Sequence, residues 1–376
     1  MNQPLDIGIV GIGRMGGVHV RHLLELERET GTCRLCAVVD SDAAKLKRFL
    51  SEFGTDEFAY RGRTFASLDQ YLEADVCRAT MVVAPTEHHR PHAMALAKAG
   101  HRVLLEKPLT GTLEGDVACC AELDRSYPNA VMLALQRRFD QALAYGRDLM
   151  REGAIGRVFK VYSALEDSGP PPDGYQSDGI LPDMSVHNVD EILWLVGGMP
   201  DRAMAVGSVL YNKRVASCKE DFDDATLYMW FGEEVLGQVQ VTRNHVSGYR
   251  VETAIYGEQG QIQIGRFNQK PREIVVEAFG RRGRSEPIAR KVFPGGNGGD
   301  AAPEFVDRFG PAYKAEATAF IDCCRRDAEF PATHRDGLRA QQVIAAGMRA
   351  VYTRNEAAVV VRHDVEPDEH GSGLRC

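Results

Sequence analysis

Leu5-Asp-Ile-Gly-Ile-Val10-Gly11-Ile12-Gly13-Arg14-Met15-Gly16 decides how the chain begins to fold. Its apolar run predicts a strand over Leu5–Val10, and a helical pattern takes over near Met15 and runs to Glu29. In the intervening turn, Gly11 permits the tight bend, Gly13 lets backbone approach a pyrophosphate, and Gly16 lets the helix pack on the sheet. The N–H groups of the helix opening at Arg14-Met15 would receive the phosphates. The next strand ends Cys36-Ala-Val-Val-Asp40, and a carboxylate there accepts bonds from ribose hydroxyls and repels a 2′-phosphate. Ser41 and Asp42 follow with no immediate arginine. Strand, glycine turn, helix and answering acid together predict a dinucleotide site that takes NAD in preference to NADP.

Outward from that turn the first third keeps the same rhythm. Strands are expected at Arg34–Val39, Ala79–Val83, Arg102–Leu105 and Val131–Leu135, with helical patterns at Ala43–Phe53, Pro91–Ala99 and Leu113–Arg125 between them. Such alternation builds a parallel sheet covered on both faces, with all strand C-termini on one ligand-binding rim. After about residue 136 the pattern changes. A helix (Gln141–Arg151), a strand (Arg157–Leu165), a Pro-rich loop and a second helix (Asp183–Val196) lead into consecutive strands. These are Ala203–Tyr211, Ala225–Phe231, Val235–Arg243, Val251–Tyr256, Gln261–Ile264 and Glu273–Ala278, joined by short turns. Helices near Ala312–Arg325 and Gly337–Thr353 are expected to close this second domain. The fold class is therefore an α/β Rossmann domain (1–135) followed by an α+β domain with an open, mostly antiparallel sheet (136–362), and a polar tail (363–376) expected to fray.

With 376 residues, 44% hydrophobic, the chain has material for two full cores. A net charge of -8 leaves no basic excess with which to neutralise nucleic-acid phosphates. Apolar stretches are too short to span a bilayer, and no leader pattern precedes the first strand. Nine cysteines without a leader read as reduced thiols, so a cytoplasmic soluble protein is expected. Cys33-x-x-Cys36 has no second pair at zinc spacing, and His88/His92 offer a metal only two histidines from one helical face; no metal is expected.

Two further stretches carry chemistry. Leu104-Leu105-Glu106-Lys107-Pro108 ends a strand on the ligand rim, where the proline fixes chain direction and admits a cis bond. A lysine there can hydrogen-bond a substrate hydroxyl and favour its alkoxide-like form. In the second half, Asp183, His187, Asp190 and Trp194 recur as one stripe on an otherwise apolar helix. Either Asp183 caps the helix and the stripe faces water, or the stripe lines a cavity against the first domain. In the second case Asp183 orients His187, whose imidazole takes the hydroxyl proton. His89, four residues past Pro85, is placed beside the nicotinamide pocket.

These residues resemble the glucose–fructose oxidoreductase/inositol dehydrogenase (Gfo/Idh/MocA) family over nearly the whole chain. The likeness rests on Gly11–Gly16, Ala84-Pro85-x-x-x-His89, Ala99-Gly100-His101 through Glu106-Lys107-Pro108, and Arg137-Arg138-Phe139-Asp140. It continues through Ser177-Asp-Gly179, Asp183-x-x-x-His187-x-x-Asp190 and Arg308-Phe309-x-x-x-Tyr313-x-x-Glu316. Pro170-Pro171-Pro172-x-x-Tyr175 and Asp183-Met184 look most like the inositol 2-dehydrogenase branch. The resemblance implies a catalytic triad of Lys107, Asp183 and His187. It implies cofactor contacts at Gly11, Gly13, Arg14, Met15, Gly16, Asp40, Pro85, His89, Glu106 and Lys107. Substrate contacts are implied at Lys107, Glu166, Asp167, Tyr175, Asp183, His187, Asp190 and Tyr249. It further implies an NAD-dependent oxidation of a secondary hydroxyl on a polyhydroxylated ring, myo- or scyllo-inositol to the keto form, in a homotetramer or homodimer built on the sheet's outer face. Inositol dehydrogenases often carry a basic or amide-bearing segment where this chain has Glu166-Asp167-Ser168, and tend to Tyr-Gly-Tyr-Asp where it has His245-Val-Ser-Gly248-Tyr249. A pyranose sugar is therefore a close alternative substrate. An NAD-dependent glycoside hydrolase and a nucleotide-binding sensor without turnover are the rival functions. Lys107, Asp183 and His187 together argue against the sensor, which needs no proton transfer.

Overall fold

The computed structural model describes residues 3–54, 60–169, 179–211, 221–267, 273–281, 286–295, 304–353 and 357–358. Its first sheet contains β1 (Leu5–Val10), β2 (Cys33–Val39), β3 (Arg63–Phe65), β4 (Ala79–Val82), β5 (Arg102–Leu105) and β6 (Val131–Leu133). All are parallel, in the order β3-β2-β1-β4-β5-β6. Ile7, Ile9, Met81 and Leu105 are wholly buried, as strands covered on both faces require. The crossovers are α1 (Arg14–Thr30), α2 (Ala43–Phe53), α3 (Leu68–Ala74), α4 (His89–Lys98) and α5 (Leu113–Ser126). Asp42 caps α2 through the N–H groups of Ala44 and Lys45, and Thr112 caps α5 through Gly115. Strand order reverses between β1 and β4, which opens a crevice above their C-terminal ends. The short β3 and α3 give no periodicity long enough to read from sequence.

The second sheet has nine strands in the order β14-β13-β12-β11-β7-β10-β9-β8-β15. They are β7 (Val158–Glu166), β8 (Arg202–Ser208), β9 (Asp224–Phe231), β10 (Val235–Thr242), β11 (Arg250–Gly257), β12 (Gly260–Ile264), β13 (Glu273–Gly280), β14 (Ala289–Pro294) and β15 (Ala357–Ala358). β7 and β10 pair in parallel, and every other neighbouring pair is antiparallel. On β9 the inward Ala225, Leu227 and Met229 are buried, while Thr226, Tyr228 and Trp230 point to the other face. α6 (Gln141–Arg151) and α7 (Val186–Val196) cover the inner face, and their apolar residues share one core with it.

The last two helices do not simply close the second domain, as expected. α8 (Glu304–Arg326) buries Ala317, Phe320 and Ile321 in the first domain's core, with Ile7, Leu23 and Met81. It also starts earlier than Ala312, running through Pro311, which reads in sequence as a breaker. α9 (His334–Thr353) spans both sheets. A side chain at its Gly337 would meet Leu133 of β6, and one at Gly347 would meet Leu227 of β9, at 2.4 and 2.3 Å. The helix therefore seats directly on both. Among the described residues no helix is long and apolar enough to cross a membrane.

Candidate active site

The glycine turn stands at the mouth of the crevice. Gly11 has φ +93°, and a Cβ there would lie 2.6 Å from the Val83 carbonyl oxygen. A Cβ at Gly16 would lie 2.3 Å from the Gly11 carbonyl oxygen, so the helix needs glycine to come this close. Gly13 differs: a Cβ there meets nothing within 4 Å. Its open side, together with an α1 N-terminus that no side chain caps and no first-turn acid occupies, suits a pyrophosphate. Asp40 directly follows β2, with Oδ2 accepting from Ile12 N (3.0 Å) and Oδ1 from Asp42 N (2.9 Å). The carboxylate is thus fixed beside the turn, and these residues fit an NAD-type dinucleotide. Exposed Arg14 stacks over Phe305 at 5.3 Å, and Met15 packs against the second domain's core.

Across the rim, the Lys107–Pro108 bond is cis. Lys107 Nζ donates to the Asp183 carbonyl oxygen (3.1 Å) and to its Oδ1 (3.4 Å), so two domains meet at this lysine. Beneath it, Glu106 takes His19 Nε2 at 2.7 Å on one oxygen and Lys107 N at 3.1 Å on the other. Burial pushes the Glu106 carboxyl up, but the His19 bond and the charges of His19, Lys107 and His89 hold it below its usual range. His187 stands on the first turn of α7, its Nδ1 buried without a partner among the described residues. Burial first, then the charges of Lys107 and Arg137, push its imidazole well below the ordinary histidine value. Lys107, Asp183 and His187 therefore gather at the C-terminal rim of the first sheet, with the imidazole within reach of the Lys107 charge that helps keep it neutral.

The internal pairing differs from expectation. Among the described residues no hydrogen bond joins Asp183 to His187. Leu181–Ser185 form a π-turn, whose extra residue per turn rotates Asp183 away from the i, i+4 alignment with His187. The carboxylate goes instead to Lys107 and, through Oδ2, to Arg243 Nη2 at 3.2 Å. The rest of the stripe neither faces water nor lines the crevice. Asp190 is 1% exposed, and both its oxygens are taken by Arg138 (2.9 and 2.6 Å). Burial, outweighing Arg138, still raises its carboxyl to about 6. Trp194 lies under Arg147 at 3.7 Å.

Other expected contacts are also engaged within the protein. His89 is 2% exposed, its Nδ1 2.7 Å from the Pro108 carbonyl and Nε2 2.9 Å from that of Ala84. It ties the ends of β4 and β5 together instead of opening onto a pocket, while Pro85 opens the turn before it. Glu166 accepts Arg250 Nη1 on both oxygens at 3.1 Å. Asp167 is held by backbone bonds to Thr242 and His245, and Tyr249 is buried in the core of the second domain. Tyr175 lies outside the described residues. Sequence reasoning missed Arg243, Asp221, Arg137 and Glu191. Arg137 Nη1 meets Glu191 Oε2 at 2.6 Å, both side chains 2% exposed, and the Arg137 charge helps lower the His187 imidazole. A strand-end arginine such as Arg243 gives a signal only once strand register puts it on the same rim.

Known proteins match most of the chain. Inositol 2-dehydrogenase of Rhizobium meliloti is 25% identical over 359 residues, 95% of this chain and all of its own. The scyllo-inositol 2-dehydrogenase (NAD(+)) of Bacillus subtilis is 26% identical, over 86% of this chain and 87% of its own. Among solved structures, scyllo-inositol dehydrogenase from Lactobacillus casei with bound NAD(H) and scyllo-inositol shares the fold, with a TM-score of 0.77 and 23% identity over 95% of this chain and 99% of that one. Residues 5–131 match the oxidoreductase family's NAD-binding Rossmann fold and residues 147–359 its C-terminal alpha/beta domain, so the chain belongs to the GFO_IDH_MocA family of NAD-binding oxidoreductases.

Proposed function

We propose that the protein oxidises a secondary hydroxyl of a cyclitol, with myo- or scyllo-inositol as the leading substrates and a pyranose sugar next. Bound NAD supplies the hydride acceptor. Lys107 Nζ holds the substrate hydroxyl oxygen, and His187 takes the hydroxyl proton on its ring. Asp183 keeps the ammonium at the rim, while Asp40 and the turn Gly11–Gly16 bind the dinucleotide. The observation that carries this reading is a depressed, neutral imidazole from the second domain placed near a lysine on the first domain's ligand rim. Such a base accepts a proton without first losing one.

An uncharged polyol is favoured over a sugar acid because Lys107, Arg137 and Arg243 each already face a carboxylate. The names of the relatives support the cyclitol. The outer sheet face carries Trp230 opposite Leu236, and Tyr228 and Tyr162 on either side of Gln238, which supports a homotetramer or homodimer formed there. The seven described cysteines are free thiols, in keeping with a cytoplasmic location. A panel of inositols and aldoses with NAD, followed by NADH absorbance, tests the substrate: fastest turnover is expected with an inositol. NADH formation from no polyol, or nitrophenol release from a nitrophenyl glycoside without added NAD, overturns the dehydrogenase reading.

A further inference from the structure

Asp183 is gripped from two domains. Lys107 reaches it from the end of β5, on Oδ1 and the main-chain carbonyl, and Arg243 reaches Oδ2 from just past β10. Arg243 is 4% exposed, and its other terminal nitrogen, Nη1, lies 3.6 Å from Asp221 Oδ2. Asp221 is itself fixed, its Oδ1 accepting from Ile180 N (2.9 Å) and Phe222 N (2.8 Å). Gly179, at φ +109°, makes the room: a Cβ there would lie 2.8 Å from that same oxygen. Charges thus alternate from Asp221 through Arg243 and Asp183 to Lys107, starting where the chain enters the π-turn. A buried guanidinium demands carboxylate partners, and this one spends half its fork on the residue that orients the lysine.

We propose that Arg243 is a positioning residue for the reaction, holding the Asp183 carboxylate so that the Lys107 ammonium stands at the substrate oxygen. This rests on the dehydrogenase reading for its kinetic consequence, but the clamp itself is independent of substrate. Lysine has a flexible four-carbon stem, and two acceptors on one rigid residue remove that freedom before substrate arrives. Without Arg243 the carboxylate loses its hold on Oδ2, and more of its charge falls on Lys107.

The test uses the full-length protein as wild type, Arg243→Gln, Arg243→Lys and Asp221→Asn. In Arg243→Gln, kcat is expected to fall by about tenfold to a hundredfold while the KM for NAD stays within about threefold, and Arg243→Lys to recover most of the loss. Acetylation of Lys107 by acetic anhydride, read by peptide mass spectrometry without substrate, is expected to slow about threefold or more in Arg243→Gln, because a carboxylate relieved of the Arg243 charge favours the ammonium form more strongly. Asp221→Asn shows the same pattern at smaller size. Unchanged kcat and unchanged labelling in Arg243→Gln, or a lysine variant no better than glutamine, overturn the proposal. If Arg243→Gln does not fold, unchanged values in Asp221→Asn overturn it equally. If wild type oxidises no polyol, the dehydrogenase reading fails, and the labelling rates alone then decide the clamp.

Discussion

His187 shows how far a single residue's chemistry is set by what surrounds it. Its type and its place four residues after Asp183 are legible in the sequence; its partners are not, because the π-turn at Leu181–Ser185 moves Asp183 to another face. The same limit applies at Asp190, Glu166 and His89, polar residues readable as ligand contacts whose hydrogen bonds are instead met by Arg138, Arg250 and two carbonyls. Such pairing depends on neighbours distant in sequence. Burial and the positive charges of Lys107 and Arg137 disfavour the imidazolium at His187, so its proton is lost at a pH below the ordinary value of 6.5. A base must be neutral to act, and the acid limb of kcat/KM is therefore expected below pH 6.5. A limb centred at or above neutrality would contradict the assignment.

At the scale of elements, the glycine turn was the most legible feature, because each glycine answers a different steric demand. Those demands separate in mutants. Gly13→Ala adds a methyl where the protein leaves open space, so its unfolding free energy is expected to stay within about 1 kcal/mol of wild type. The same methyl intrudes where the pyrophosphate approaches, and NAD affinity is expected to fall about tenfold or more. Gly11→Ala instead forces a side chain into φ +93° and against Val83, and is expected to cost more than about 1 kcal/mol of stability as well as binding. Denaturant titration and calorimetric NAD binding check both. Retained NAD affinity in Gly13→Ala would remove the turn from the cofactor site. Elements without a repeating pattern, such as the three residues of β3, stayed illegible.

For the whole molecule, the alternating first third and the run of later strands gave both sheets, but not where the last helices go. Nothing in the periodicity of α8 says whose core its apolar face enters. Phe320 lies fully buried among first-domain residues, so Phe320→Ala is expected to cost about 3–5 kcal/mol and to weaken NAD binding with it. A loss under about 1 kcal/mol in thermal or denaturant unfolding would place that helix elsewhere. With α8 and α9 seated across both sheets, an imidazole from one domain is held at the dinucleotide rim of the other. That meeting is the central claim, and His187→Ala tests it most directly, with turnover of the best inositol and NAD binding measured on the same preparation. The expected result is NAD affinity close to wild type with turnover reduced by about 10²–10⁴-fold, the weight of a positioned acid/base; turnover within about tenfold of wild type would contradict it.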